Sequence, residues 1–194
     1  MTNNPPKTLT QNQAITILKS LGWRIRTAGE YRQALAHFQG GWNLGPALKV
    51  DAKLGPFTSA ALRISEARRR AGLPTASAHF SFTEVRCKCG GRYSTCARIW
   101  FQRGAFRELE RYRKSLGSGI SIISGCRCRG HNRAVGGASQ SRHMAGDAAD
   151  FAPVRPVSWF ATRNLFRGRG WNKSPGTHPV RHGDLGPRRQ WMYG

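Results

Sequence analysis

A histidine and an aspartate stand seven residues apart in Ser139-Gln-Ser-Arg-His143-Met-Ala-Gly146-Asp-Ala148-Ala-Asp150, with small residues between them. A second histidine lies in Arg181-His182-Gly183-Asp184 near the C-terminus. Catalytic zinc takes three protein ligands from His, Asp, Glu or Cys and leaves a fourth position open for water. His143, Asp150 and His182 are therefore candidate ligands of one zinc ion. Residues of these types also stand scattered in many chains as solvated or capping groups, so type alone is a weak signal. Two observations strengthen it. The chain has nine acidic residues, and beyond Glu110 only Asp147, Asp150 and Asp184 remain. Asp150 also opens an apolar run to Val154, where a carboxylate without a partner is costly.

Several elements must position these groups. The spacing of Ile99, Phe101, Phe106, Leu109 and Tyr112 predicts a long helix over 99–116, ended by Gly117-Ser-Gly119. The β-rich run Ile120–Ser124 predicts a central strand that delivers Arg127 and His131 into the following loop. Residues 150–154 predict a second strand, 157–166 a helix, and 180–185 a third strand. Ser81 or Thr83 can cap a short helix near 82–85, and Gly136-Gly137 predicts a tight turn. Helices beside a small, mainly antiparallel sheet make an α+β domain over 80–194.

The first 72 residues read as a separate three-helix module. Thr10 is the candidate N-cap of a first helix with Ile15, Ile17, Leu18 and Leu21 on its apolar face. A second helix is expected over 29–39, stopped by Gly40-Gly41, and a third over 57–71 with Thr58 near its start. Arg68, Arg69 and Arg70 complement the dipole at the end of the third. Residues 73–79 read as a linker.

Net charge is +23, with 25 Arg against 7 Lys. Such a field attracts polyanions and weakens with salt. Nucleic acid and the anionic polymers of bacterial walls fit it equally. The Arg bias fits bidentate anion contacts and also a GC-rich coding sequence, which suggests an actinobacterial host or its phage. No stretch approaches the length of a membrane-spanning helix, and the N-terminus lacks the charged start and apolar run of a secretory signal. No membrane partner is expected. The five cysteines are Cys87, Cys89, Cys96, Cys126 and Cys128. Cys87-Lys-Cys89 and Cys126-Arg-Cys128 each put two thiols on one face of an extended segment. Disulfides, a structural zinc site and free thiols in a reducing cytosol all fit.

Two resemblances add to this. Ser124-Gly-Cys-Arg127, His131-Asn132, Val135-Gly-Gly-Ala138, Ser141-x-His143-x-x-Gly146-x-Ala148-x-Asp150, and His182-Gly-Asp184-Leu-Gly186-Pro with Trp191 resemble the zinc D-alanyl-D-alanine carboxypeptidase family, in the peptidoglycan-peptidase branch common among phage lysins. Ala34-Leu35-x-x-Phe38-Gln39, then Leu48-x-Val50-Asp51-x-x-x-Gly55-Pro56-x-Thr58-x-x-Ala61-Leu62, resemble the three-helix peptidoglycan-binding domain. That match departs at Ala52, where the family has Gly, and in the extra residues 41–47.

The first resemblance implies a zinc peptidase cutting stem peptides or cross-links of peptidoglycan, with His143, Asp150 and His182 on the metal. Arg127 would hold a substrate carboxylate or the developing oxyanion, since a guanidinium offers a fixed fork of donors. Ser141 and His131 would orient the ligands. The family's acidic base, three residues before the last ligand, is replaced here by Pro179. Asp184, on the same strand face as His182, and His178, four residues before it, are the substitutes. Together the two resemblances imply a monomeric phage endolysin. It would be held in the host cytoplasm, be released to the wall by a holin, and have no specific nucleic-acid partner. The rivals are a cationic nucleic-acid binder with structural zinc, and a wall-binding protein with a degenerate site.

Overall fold

The computed structural model describes residues 7–155, 166–172 and 181–193. The helix expected over 157–166 falls almost wholly outside them, as do His178 and Pro179. Eleven elements are described: α1 (Gln11–Ser20), α2 (Ala28–Gly41), α3 (Pro56–Arg70), α4 (Arg103–Leu116), β1 (Ile120–Ser124), α5 (Arg129–Ala134), α6 (Arg142–Ala145), β2 (Ala148–Pro153), β3 (Gly168–Asn172), β4 (Arg181–Asp184) and β5 (Arg189–Tyr193). The fold is α+β.

Local chemistry starts each N-terminal helix. Thr10 caps α1 in a reciprocal box: Gln13 N–H donates to Thr10 Oγ1 (3.3 Å) and Thr10 N–H to Gln13 Oε1 (2.9 Å). Thr27 caps α2 by accepting from Glu30 N–H at 3.1 Å. Pro56 opens α3, where a missing N–H is no loss. Glu66 ties α3 back to α1: its carboxylate receives Ser20 Oγ (2.7 Å) and pairs with Arg69 and Arg70. Gln39 is buried and satisfied, bonding Asp51, Lys53 O and Thr58 Oγ1 while accepting from the N–H groups of Asp51 and Ala52. Ala52 is held at φ 57°, left-handed backbone that glycine adopts without penalty. That conformation is the physical reason a glycine suits this position.

α2 ends at the Gly40-Gly41 pair, with Gly41 its last residue and Trp42 its C-cap. A Cβ on Gly41 would stand 2.5 Å from Phe101 O, so this glycine also serves close packing. The helix over 99–116 starts later, at Arg103. Arg98 turns the chain at φ 69°, and residues 99–102 stay out of the helix because tertiary bonds take the backbone groups around them. Cys87 N–H donates to Arg98 O (2.7 Å), Trp23 Nε1 to Ile99 O (3.0 Å), and Gln102 N–H to Gly146 O (2.8 Å). At 82–85 the chain turns without forming a helix, closed by Ser81 N–H on Glu84 Oε2 (2.6 Å).

The helices and the later chain share one core. Trp23 meets Phe38 and Phe82, and Phe82 meets Phe106, with ring centroids 4.8–6.1 Å apart. Residues 73–79 are packed into this body. Ala76 is fully buried, Ser65 Oγ donates to Thr75 O (2.8 Å), and Ser77 Oγ donates to Glu110 Oε1 (2.6 Å).

The sheet runs β1-β2-β4-β3-β5, antiparallel except for the β3–β5 pair. β1 is an edge strand among the described residues, not a central one. Ser121 and Ile123 are exposed, whereas β2 beside it is mostly buried and has a neighbour on each side. α4 covers one face, where Tyr112 packs on Phe151 at 4.8 Å. Side chains alternate along a strand, so Asp150 projects from the opposite face.

Gly41→Ala should destabilise the protein by about 1–3 kcal/mol in denaturant unfolding, the usual loss on overpacking. Helix propensity alone would favour alanine by about 1 kcal/mol, so a stabilised variant would refute the packing role. Contacts with Arg69, Ser20 and Arg70 outweigh partial burial and bring Glu66 from 4.5 to about 2. Its contribution is present above the unfolded value and lost as pH falls toward 2. Glu66→Gln should cost about 0.5–1 kcal/mol at neutral pH, and the gap should close between pH 4.5 and 2 in acid unfolding.

Candidate metal centre

Strand register builds most of the site. Asp150 of β2 lies directly opposite His182 of β4, so their side chains share one face at cross-strand distance. His143 comes from α6, a single turn ended by Gly146 at φ 74°. A Cβ there would fall 2.2 Å from Trp100 O, so glycine is required. Trp100 Nε1 donates to Met144 O (2.9 Å) and Gln102 Nε2 to Ala145 O (3.0 Å), fixing α6 against the 100–102 segment.

Three acceptor atoms converge. His143 Nε2 is 3.2 Å from Asp150 Oδ1 and 3.2 Å from His182 Nδ1, and His182 Nδ1 is 2.9 Å from Asp150 Oδ1. The far side of each ring fixes its tautomer. His143 Nδ1 faces Gly125 O at 2.6 Å; a carbonyl only accepts, so Nδ1 carries the proton and Nε2 offers its lone pair. His182 Nε2 faces Asp184 Oδ2 at 2.9 Å, so Nδ1 is the free acceptor. Two lone pairs and a carboxylate oxygen thus point at one another. A proton on His182 relieves one of these contacts, whereas a cation at the centre relieves all three. Ligands on tetrahedral zinc at about 2.0–2.1 Å stand about 3.3 Å apart, close to the separations here. The donor set fits zinc, and His143, Asp150 and His182 can hold it.

Protons compete with a cation for these lone pairs. Burial opposes ionisation of Asp150, but an imidazole that carries a proton on its facing nitrogen donates to the carboxylate and holds it well below the usual range. Burial lowers the pKa of His182, and hydrogen bonds to Asp150 and Asp184 more than reverse this. Asp184 is fully buried and engaged on both oxygens. Besides His182 it receives Gly186 N–H (2.8 Å) and Arg189 (2.6 and 3.1 Å). These contacts outweigh its burial and lower its pKa.

Arg127 bonds Asp150 Oδ2 through Nη2 and Ser124 Oγ through Nε (2.8 Å). Its Nη1 bonds no described residue, and the side chain lines a cleft of about 520 Å³ with the three acceptors, Ser141, Arg189 and Trp191. Ser141 precedes α6 and does not cap it through its side chain. His131 does not line the cleft; its N–H donates to Cys128 Sγ at 3.4 Å.

Four partners were not assigned roles from sequence. Gly125 O sets the His143 tautomer, and a backbone carbonyl has no signature of its own. Trp191 walls His182 with ring centroids 5.2 Å apart. Arg189 lies 5.0 Å over the Trp191 ring. Asn132 donates to Gly137 O (3.1 Å) and Ala138 O (2.9 Å), shaping the cleft wall at the expected glycine turn. Spacing within the motifs around Asn132 and Trp191 was the available signal for those two.

Comparison with curated proteins finds no match. Comparison with known families matches residues 78–176, just over half the chain, to Peptidase M15, a family of zinc-dependent peptidases. The match takes in His143 and Asp150 and ends before His182. With a donor set that suits zinc lying at this cleft, the chain belongs to the peptidase M15 family.

Proposed function

We propose that the chain is a peptidase with one catalytic zinc, hydrolysing peptide bonds in the stem peptides or cross-links of bacterial peptidoglycan as a phage endolysin. The observation that carries it is the convergence of His143, Asp150 and His182 beside a cleft lined by Arg127, whose Nη1 bonds no described residue. The N-terminal helices, with their likeness to a peptidoglycan-binding domain, support the wall as substrate. Net charge of +23 supports attraction to anionic wall polymers.

Zinc held there would supply a Lewis acid that activates water and polarises a carbonyl. The chain's own groups do the rest. Arg127 Nη1 receives a substrate carboxylate or the developing oxyanion. Its Nη2, on Asp150 Oδ2, keeps that carboxylate aimed at the cluster. Gly125 O and Asp184 hold the two imidazoles in their tautomers. Asp184 is sealed behind His182, so we assign it positioning and assign proton movement to His178, which lies outside the described residues. Trp191 and residues 135–138 confine the substrate between them.

Purified actinobacterial peptidoglycan should yield new stem-peptide fragments by mass spectrometry. They should vanish with chelator and in His143→Ala, and their masses identify the bond cut. Binding without cleavage by zinc-loaded protein, across several wall chemotypes, would remove the enzyme reading. Asp184→Asn should weaken zinc binding about 10–100-fold, as loss of a ligand's hydrogen-bond partner does. Competition with a chromophoric chelator measures this, with circular dichroism to verify the fold.

A further inference from the structure

A second cluster stands apart from the cleft. The sulfurs of Cys87, Cys89, Cys96 and Cys128 all lie within 4.8 Å of one another. This grouping is not the two Cys-x-Cys pairs facing each other. Cys96 joins, and Cys126 is left out, its buried Sγ accepting from Trp100 N–H at 3.3 Å. Cys87, Cys96 and Cys128 are buried and Cys89 is partly exposed; all are free thiols.

We propose that these four cysteines form a structural zinc site, separate from the site read as catalytic and independent of the peptidase reading. Sulfurs on tetrahedral zinc at about 2.3 Å stand about 3.8 Å apart, inside the 4.8 Å that bounds the present cluster. Two disulfides would instead draw the sulfurs together in pairs at about 2.05 Å and leave the other separations without purpose. The backbone already treats these sulfurs as acceptors. Cys128 N–H donates to Cys87 Sγ (3.3 Å), and His131 N–H donates to Cys128 Sγ (3.4 Å). Such N–H donors stabilise metal-bound thiolates. Zinc with four thiolates carries a net charge of about −2, and four basic residues, Arg86, Lys88, Arg92 and Arg98, share the loop with three of the cysteines.

The location gives the site a purpose. Residues 86–100 contain no helix or strand, so a cross-link would add to the few tertiary bonds that hold them, such as Trp23 Nε1 to Ile99 O. Gly90 and Gly91, both at positive φ (65° and 89°), let the chain double back between Cys89 and Cys96. Cys128 directly follows Arg127, so the ion would fasten this loop to the segment carrying the cleft arginine. The same loop and segment already meet where Cys126 N–H donates to Val85 O at 2.8 Å.

The test uses the full chain with His143→Ala, which removes the other candidate site. Purified with zinc under reducing conditions, it should retain one zinc per chain. Exchange for cobalt should give a near-ultraviolet thiolate charge-transfer band and strong visible tetrahedral bands. Cys96→Ser in that background should lose metal and bands, and Cys126→Ser should keep both. Should Cys96→Ser not fold, mercurial titration of the His143→Ala protein serves instead: zinc should leave as four thiols react. No retained metal, cobalt spectra without thiolate bands, or disulfide-linked peptides from protein kept anaerobic would each overturn the proposal.

Discussion

Like-natured atoms meeting at one point are the constraint on which this structure depends. Two imidazole lone pairs and a carboxylate oxygen repel one another at 2.9–3.2 Å unless positive charge lies between them. Nothing local to any one residue creates this arrangement. It requires β2 and β4 in one register, since a slip by a single residue would send Asp150 and His182 to opposite faces. It requires α6 to be short, turned by Gly146 and pinned by Trp100. It also requires Gly125 O and Asp184 at the far sides of the rings, because either imidazole in its other tautomer would present an N–H to the metal position.

The acidic residues after Glu110 show how a strongly basic chain spends few carboxylates. Each sits with one arginine: Asp147 with Arg142, Asp150 with Arg127, Asp184 with Arg189. Asp147 and Asp184 are buried and Asp150 nearly so. Buried ion pairs add little net stability, because desolvation offsets the attraction. For two of them the value is geometric: Arg127 and Arg189 fix Asp150 and Asp184, whose directions matter to the centre. Most of the remaining positive charge has no such duty and forms the field around the molecule.

The sequence made some of this legible and concealed the rest for definable reasons. His143, Asp150 and His182 stood out by type, by scarcity of acids and by motif spacing, and the fold does bring them together. Thr10 announced α1 because capping is local chemistry. Gly40-Gly41 does end α2, but the second duty of Gly41, admitting the carbonyl of Phe101, leaves no mark in one dimension. The start of α4 misled because apolar spacing at Ile99 and Phe101 reports burial, and an extended segment can be buried too. The composition of β1 suits a central strand, yet strand order depends on partners far along the chain. The cysteine grouping was hidden similarly. Cys126 and Cys128 stand two residues apart in sequence, but one sulfur lies at Trp100 N–H and the other in the cluster with Cys87.

Trp23, Phe38, Phe82 and Phe106 interlock across the boundary that residues 73–79 suggest on paper. A tethered anchor would let an enzyme sweep a sphere around its attachment point, with reach set by the leash. Here the anchor candidate and the cleft turn as one piece. Under the proposed function, whatever the first three helices held would dictate which bonds the cleft can face, so targeting would become a matter of angle as much as of distance.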